Sequence, residues 1–175
     1  MNRSMFLLPA LGLVLAFVAQ PLLADVYQTP EAFVSENGGR VDAPQSLWIN
    51  AGTKGAIQTI LGRNYPTLRI KYWQSADATL WVLEDIGKDE FITLGFVIRK
   101  QSIESSRVLI FRESRGWEIK FPSFAQRFAG ARLTDQLLLD RRVDGITGAS
   151  LSVQAYERMA RLALFLDKTV HAQNQ

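Results

Sequence analysis

Apolar and polar positions alternate through the middle of the chain. Leu68, Ile70 and Tyr72 interleave with Arg69, Lys71 and Trp73, the two-residue period of a half-buried strand. Thr79 to Glu84 is a second, nearly continuous apolar run. Ile92, Leu94, Phe96 and Ile98 then alternate with Thr93, Gly95, Val97 and Arg99. Between these runs, Asp85 to Glu90 carries Gly87 and four charges, as a hairpin connection does. Arg107–Phe111 reads as a further strand and Trp117–Phe121 as a short one, halted by Pro122. From about Ala149 to Lys168 the period changes. Ala155, Met159, Leu162, Leu166 and Val170 step by three or four residues, one buried helical stripe, while Glu157, Arg158 and Arg161 fall off it.

Shorter helices flank this pattern. Thr29-Pro30-Glu31 has the cap, first-turn proline and early acid of a helix start, and Asn37-Gly38-Gly39 ends it. Thr53 to Leu61 gathers Ala56, Ile57, Ile60 and Leu61 on one face and is closed by Gly62. Ser123 to Phe128 reads as a short helix ended by Gly130. Consecutive strands joined by short turns predict an α+β fold: an antiparallel sheet with helices packed on one face and a long C-terminal helix.

The first residues change the picture of where the chain works. Arg3 precedes an apolar stretch from Met5 to Ala19, and Pro21-Leu22-Leu23-Ala24 ends in a small residue, the form of a secretory signal cleaved after Ala24. The alternative is an uncleaved anchor, since the run approaches the ~20 residues that span a bilayer. The expected organisation is a signal peptide over 1–24, an N-terminal helical extension over 25–66, the main domain over 67–170 and a polar tail over 171–175. The expected location is periplasmic or otherwise extracytoplasmic, with membrane association left open.

Composition then removes several chemistries. With 175 residues, 47% hydrophobic and 21% charged, the chain can build one ordinary core. A net charge of +3 without a recognition motif gives no reason to expect a nucleic-acid partner. The absence of cysteine excludes disulfides, thiolate-bound iron–sulfur clusters and covalent c-type haem. The single histidine, His171, lies in the polar tail, so Ser-His and Cys-His arrangements and histidine-rich metal sites are not expected. If the protein moves electrons, an organic cofactor is the remaining carrier.

The most informative segment is Asp144-Gly145-Ile146-Thr147-Gly148-Ala149-Ser150, a turn-forming run with a hydroxyl where the last helix begins. The first N–H groups of a helix lack internal partners, and the aligned peptide dipoles favour negative charge there. Gly148 and Ala149 let a ligand approach the backbone, and the hydroxyl of Ser150 can carry a phosphoester. The plain reading is a loop followed by a helix capped by Thr147.

The pattern Asp-x-x-Ser/Thr-Gly-Ala-Ser/Thr resembles the flavinylation motif of FMN-binding domains. These occur in the C subunit of the sodium-pumping NADH:quinone reductase, in the G subunit of the Rnf complex and in small exported proteins. Arg112-Glu113-Ser114-Arg115-Gly116-Trp117-Glu118-Ile119 and Phe124-Ala125-Gln126-Arg127-Phe128 carry the resemblance further, over roughly Leu80 to Leu166, closest to the small exported type. Glu113-Ser114-Arg115-Gly116 stands where the large-complex subunits have Glu-Thr-Pro-Gly-Leu-Gly.

The resemblance implies that residues 67–170 are an FMN-binding domain and that Ser150 receives FMN, through its phosphate, from a flavin transferase using FAD. Asp144 would be the acid the transferase requires. Thr147, Gly148 and Ala149 would approach the phosphate; Glu113, Ser114, Arg115 and Gly116 would form a second wall. Gln126 would meet the ring edge, with Phe124 and Phe128 either flanking the ring or filling the core. Trp117 would stack on the ring or lie against the sheet. Arg141 and Arg142 would add positive charge or be solvated. The expected function is an extracytoplasmic electron-transfer flavoprotein with covalent FMN, matured by a flavin transferase and exchanging electrons with membrane or soluble redox partners. The alternatives are a flavin-dependent reductase with non-covalent FMN and a flavin-free sensory or assembly module.

Overall fold

The computed structural model describes residues 24–173; the signal-peptide reading of residues 1–24 and the end of the polar tail lie outside that range, apart from Ala24 itself. The chain runs β1 (Asp25–Val26), α1 (Pro30–Glu36), β2 (Gln45–Trp48), α2 (Ala51–Leu61), β3 (Arg69–Ser75), β4 (Ala78–Ile86), β5 (Phe91–Arg99), β6 (Ser102–Phe111), α3 (Pro122–Ala125) and α4 (Ser150–Gln173). The strands form one antiparallel sheet in the order β1-β6-β5-β4-β3-β2.

The sheet and the long C-terminal helix are as the patterning predicts. The β4–β5 ladder runs from Ala78↔Arg99 to Ile86↔Phe91, which puts residues 87–90 at its tip. Trp81 and Leu83, with Ile92, Leu94, Phe96 and Ile98, point to the face covered by α2 and α4. There the expected stripe of Ala155, Met159, Leu162, Leu166 and Val170 is buried. Tyr156 stacks on Phe128 at 4.5 Å and meets Phe96 and Phe124 edge to face. Its hydroxyl donates to Ser106 at 2.8 Å, and burial pushes the phenol well above its ordinary range.

Both early helices use the chemistry their sequences advertise. Thr29 caps α1 by accepting from the Ala32 N–H, with Pro30 in the first turn. Asn50 and Thr53 form a reciprocal capping box on α2, two residues earlier than the expected start, and Gly62 closes the helix in the left-handed region at φ +71. α2 and α4 share one face as expected, but α1 lies on the opposite face, where Phe33 and Val34 pack with Leu80, Val97 and Leu109, so the helices do not all pack on one side. Phe33 rests on Gly95; a Cβ there would sit 2.7 Å from the ring.

Two further expectations are corrected. Residues 25–66 are more than a helical extension, because they supply both edge strands, β1 on β6 and β2 on β3. With two and four residues these strands are too short to show alternation, and only Leu47 of β2 is buried. Trp117–Lys120 is a 3-10 turn and no strand. Gly116, at φ +82, turns the chain away from β6 before it can pair again.

Two buried carboxylates tie α4 to the rest. Asp85, 1% exposed, pairs with Arg63 of the α2–β3 loop at 2.7 Å and with Arg158 of α4 at 2.6 Å. Asp167 accepts from the Thr79 hydroxyl at 2.6 Å, and Trp81 Nε1 donates to that same hydroxyl at 2.8 Å. Its Oδ2 is buried without a partner, and burial holds its carboxyl above the ordinary range. Among the described residues no helix is long and apolar enough to cross a membrane.

Candidate functional site

α4 begins at Ser150. The Val153 N–H donates to Ala149 O at 2.9 Å, so Ala149 and not Thr147 occupies the capping position. The cause lies one turn upstream. The Ala149 N–H donates to Ile146 O at 3.0 Å, closing a turn that carries Gly148 at φ +86 and leaves Thr147 exposed on its outer side. Alanine has no side-chain oxygen to lend. The N–H groups of Ser150, Leu151 and Ser152 therefore meet no acceptor among the described residues. This is an uncapped start of a 24-residue helix, electropositive by its own dipoles, with an exposed serine hydroxyl in its first turn.

A cavity of about 520 Å³ opens on that start. One wall is Gly148, Ala149, Ser150, Leu151 and Ser152; the other is Glu113, Ser114 and Arg115, with Lys88 beside them. Segments more than thirty residues apart are thus brought to one place. Gly116 allows the approach: at φ +82 its α-carbon packs against the Ser152 side chain and, at 3.7 Å from an added Cβ, Ala149 Cα. A side chain at 116 would overlap Ser152 Oγ.

Glu113 has a further task. It is 8% exposed, and its Oε1 accepts from the N–H groups of Lys88, of Asp89 at 2.8 Å and of Glu90 at 3.0 Å. One carboxylate oxygen thus gathers the tip of the β4–β5 hairpin. Gly87 leaves room for it, since a Cβ there would meet that oxygen at 2.6 Å. The clamp is what sets Lys88 at the cavity, where its ammonium lies 3.2 Å from Asp89.

Other expected residues lie elsewhere. Asp144 is exposed on the loop before the turn, its carbonyl accepting from Arg127 at 2.6 Å, and neither it nor Thr147 lines the cavity. Gln126 lines a different hollow, with Tyr27, Lys120 and the β6 residues Glu104–Val108. Phe124 and Phe128 are core residues, 2% and 0% exposed, packed on Tyr156. Trp117 is neither buried against the sheet nor part of the cavity wall; it is 45% exposed and meets Phe121 edge to face. Arg141 is bound to the carbonyls of Ala129 at 3.0 Å and Gly130 at 2.9 Å, and Arg142 is exposed outside the cavity.

Lys88, Leu151 and Ser152 were not expected in the wall. Ser152 has a local signal, a second hydroxyl two residues past Ser150. Lys88 sits in a hairpin recognisable from its charges, but only the fold places that hairpin beside a helix start.

The fold and cavity together define an α+β protein with a polar site at the uncapped start of its last helix. Compared with known protein-family models, curated proteins and solved structures, the chain matches none.

Proposed function

We propose that the protein is an extracytoplasmic electron-transfer flavoprotein that carries FMN esterified through its phosphate to Ser150. The observation that carries this reading is the convergence of Ser150, three unpartnered N–H groups and the Glu113–Arg115 loop on one cavity. Its 520 Å³ lies in the usual range of cofactor sites, about 300–1,000 Å³. The donor set suits a phosphate: backbone N–H groups at a helix start, with Lys88 and Arg115 supplying positive charge. Gly148 leaves open space toward the turn, since nothing lies within 4 Å of where its Cβ would be.

Ser150 is the acceptor. Its Oγ forms a bond to the FMN phosphorus while the bond joining the two phosphates of FAD breaks. AMP leaves and the hydroxyl proton passes to the transferase. Asp144, exposed and six residues upstream, is placed to be read by that enzyme and not to touch the bound group. When bound, the flavin supplies one- and two-electron redox chemistry that no side chain of this chain provides. Ser150 prevents its loss outside the cytoplasm, because a tether holds it at an effective concentration on the order of mM. Arg115 and Lys88 favour negative charge in the cavity.

The test is the intact mass of chain co-produced with a flavin transferase. It should rise by one FMN less one water in the wild type and in Gln126→Ala, and not in Ser150→Ala. Flavin released by denaturation would replace the covalent reading with a reductase holding FMN loosely. Colourless, unmodified protein would favour a flavin-free module.

A further inference from the structure

Three aromatic rings surround one lysine at the β1 edge of the sheet. Lys120 Nζ lies 5.0 Å from the ring centre of Tyr27, 5.1 Å from Trp117 and 5.9 Å from Phe121. Trp117 and Phe121 meet edge to face at 5.5 Å. The three rings are 42%, 45% and 44% exposed, and Val26 beside them is 57% exposed. The same segment buries Ile119, Phe124 and Phe128 almost completely, so within residues 117–128 only Trp117 and Phe121 leave their rings largely open to solvent. Large apolar side chains gathered on one exposed patch mark an interaction surface.

Its composition selects the partner. Tryptophan and tyrosine, with an apolar body and a polar tip, concentrate at the headgroup level of bilayers. The Lys120 ammonium, now held over the three rings, is long-stemmed enough to turn outward to lipid phosphate while its stem stays with them. The position in the chain selects the same partner. Val26 and Tyr27 come one residue after Met5–Ala24, a run without a charged residue, and only Asp25, which accepts from the Tyr27 hydroxyl at 3.1 Å, stands between. If that run remains as an anchor, it brings the β1 end of the sheet to the bilayer.

We infer that the Val26–Tyr27–Trp117–Lys120–Phe121 patch docks on a bilayer surface, its rings in the headgroup zone and Lys120 on lipid phosphate. The patch and the cavity are neighbours: Trp117 follows Gly116, which packs on Ala149 and Ser152. Docking would therefore hold the cavity close to the membrane surface, within reach of donors or acceptors dissolved in lipid. The surface itself does not depend on a flavin being present.

The lack of cysteine makes the test direct, since a single introduced thiol can be labelled alone. An environment-sensitive fluorophore is attached to the full chain at Phe121→Cys, and separately at Val26→Cys, which keeps all three rings. The control is Asp135→Cys, on the loop that reaches Lys168 near the far end of α4. The chains are reconstituted in vesicles of phosphatidylcholine and phosphatidylglycerol. Labels at 121 and 26 should shift to the blue and be quenched by lipid-borne quenchers, and the label at 135 should not. Lys120→Gln should weaken quenching at 26 about fivefold in anionic vesicles, the effect of one basic residue at such a surface. Equal responses at all three positions, or none at 26 and 121, would overturn the inference. A shift at 26 and 121 that grows with protein concentration without lipid would replace the bilayer by a second copy of the chain.

Discussion

Replacing Glu113 by alanine removes the acceptor that gathers three N–H groups at the β4–β5 tip. Hydrogen bonds to a charged group contribute about 1.5–3 kcal/mol each. Three donors share one oxygen here, and a hairpin tip freed of the clamp can reach water, so the contributions do not add fully. The expected loss is about 3 kcal/mol for Glu113→Ala. Glu113→Gln keeps an acceptor and loses the charge, and should lose about 1 kcal/mol. Urea unfolding of the flavin-free chain measures this as a lower midpoint at unchanged slope. If Glu113→Ala stays within about 0.5 kcal/mol of the wild type, the carboxylate holds nothing together, and the argument that it places Lys88 is wrong. The experiment also separates scaffold from ligand contact, because a residue that only touched a cofactor would leave the flavin-free protein unchanged.

Three more outcomes follow from the structure. Gly116→Val should lose stability by about 2–4 kcal/mol in urea unfolding and lower flavin incorporation, because the side chain meets Ser152 Oγ on a φ of +82 that valine resists. Asp85→Ala should cost about 2–3 kcal/mol by the same assay, since it strips Arg63 and Arg158 of a buried partner while both guanidinium groups, on side chains 35% and 26% exposed, can still reach water. Asp167 gives a pH dependence. Its folded pKa is raised above the ordinary 3.8, so folding favours the protonated form; the stability this contributes is full below 3.8 and is lost as pH rises through the folded value. Asp167→Asn keeps an acceptor for Thr79 and cannot ionise. It should be more stable than the wild type at pH 7, with the difference shrinking as pH falls toward 3.8, and a difference that grows on acidification would contradict the burial argument.

Much of the scaffold is legible because its signals are local. The Thr29 cap, the Gly62 stop after α2, the alternation of Ile92–Ile98 and the stripe of α4 each need only a few neighbouring residues, whereas the Asn50–Thr53 box that starts α2 went unread. What fails needs distant partners. β1 and β2 exist only because β6 and β3 offer edges to pair with. The Glu113 clamp joins residues about twenty-five apart, and nothing near Glu113 announces it. Phe124 and Phe128 are apolar residues four apart, a spacing equally suited to a core or to a ring-binding wall, and Tyr156 settles them in the core. Thr147 was the better cap by residue type, but the turn held by Gly148 puts Ala149 at the junction. That misfit gives the site its unpartnered N–H groups.

The central claim is an ester at one atom, and peptide mapping reads it directly. Trypsin releases Val143–Arg158 from the matured chain, a fragment that holds Thr147, Ser150 and Ser152 together. Fragmentation should place FMN on Ser150, with the peptide unmodified in Ser150→Ala. FMN on Thr147 or Ser152, or an unmodified peptide from a chain matured beside an active flavin transferase, would contradict the account.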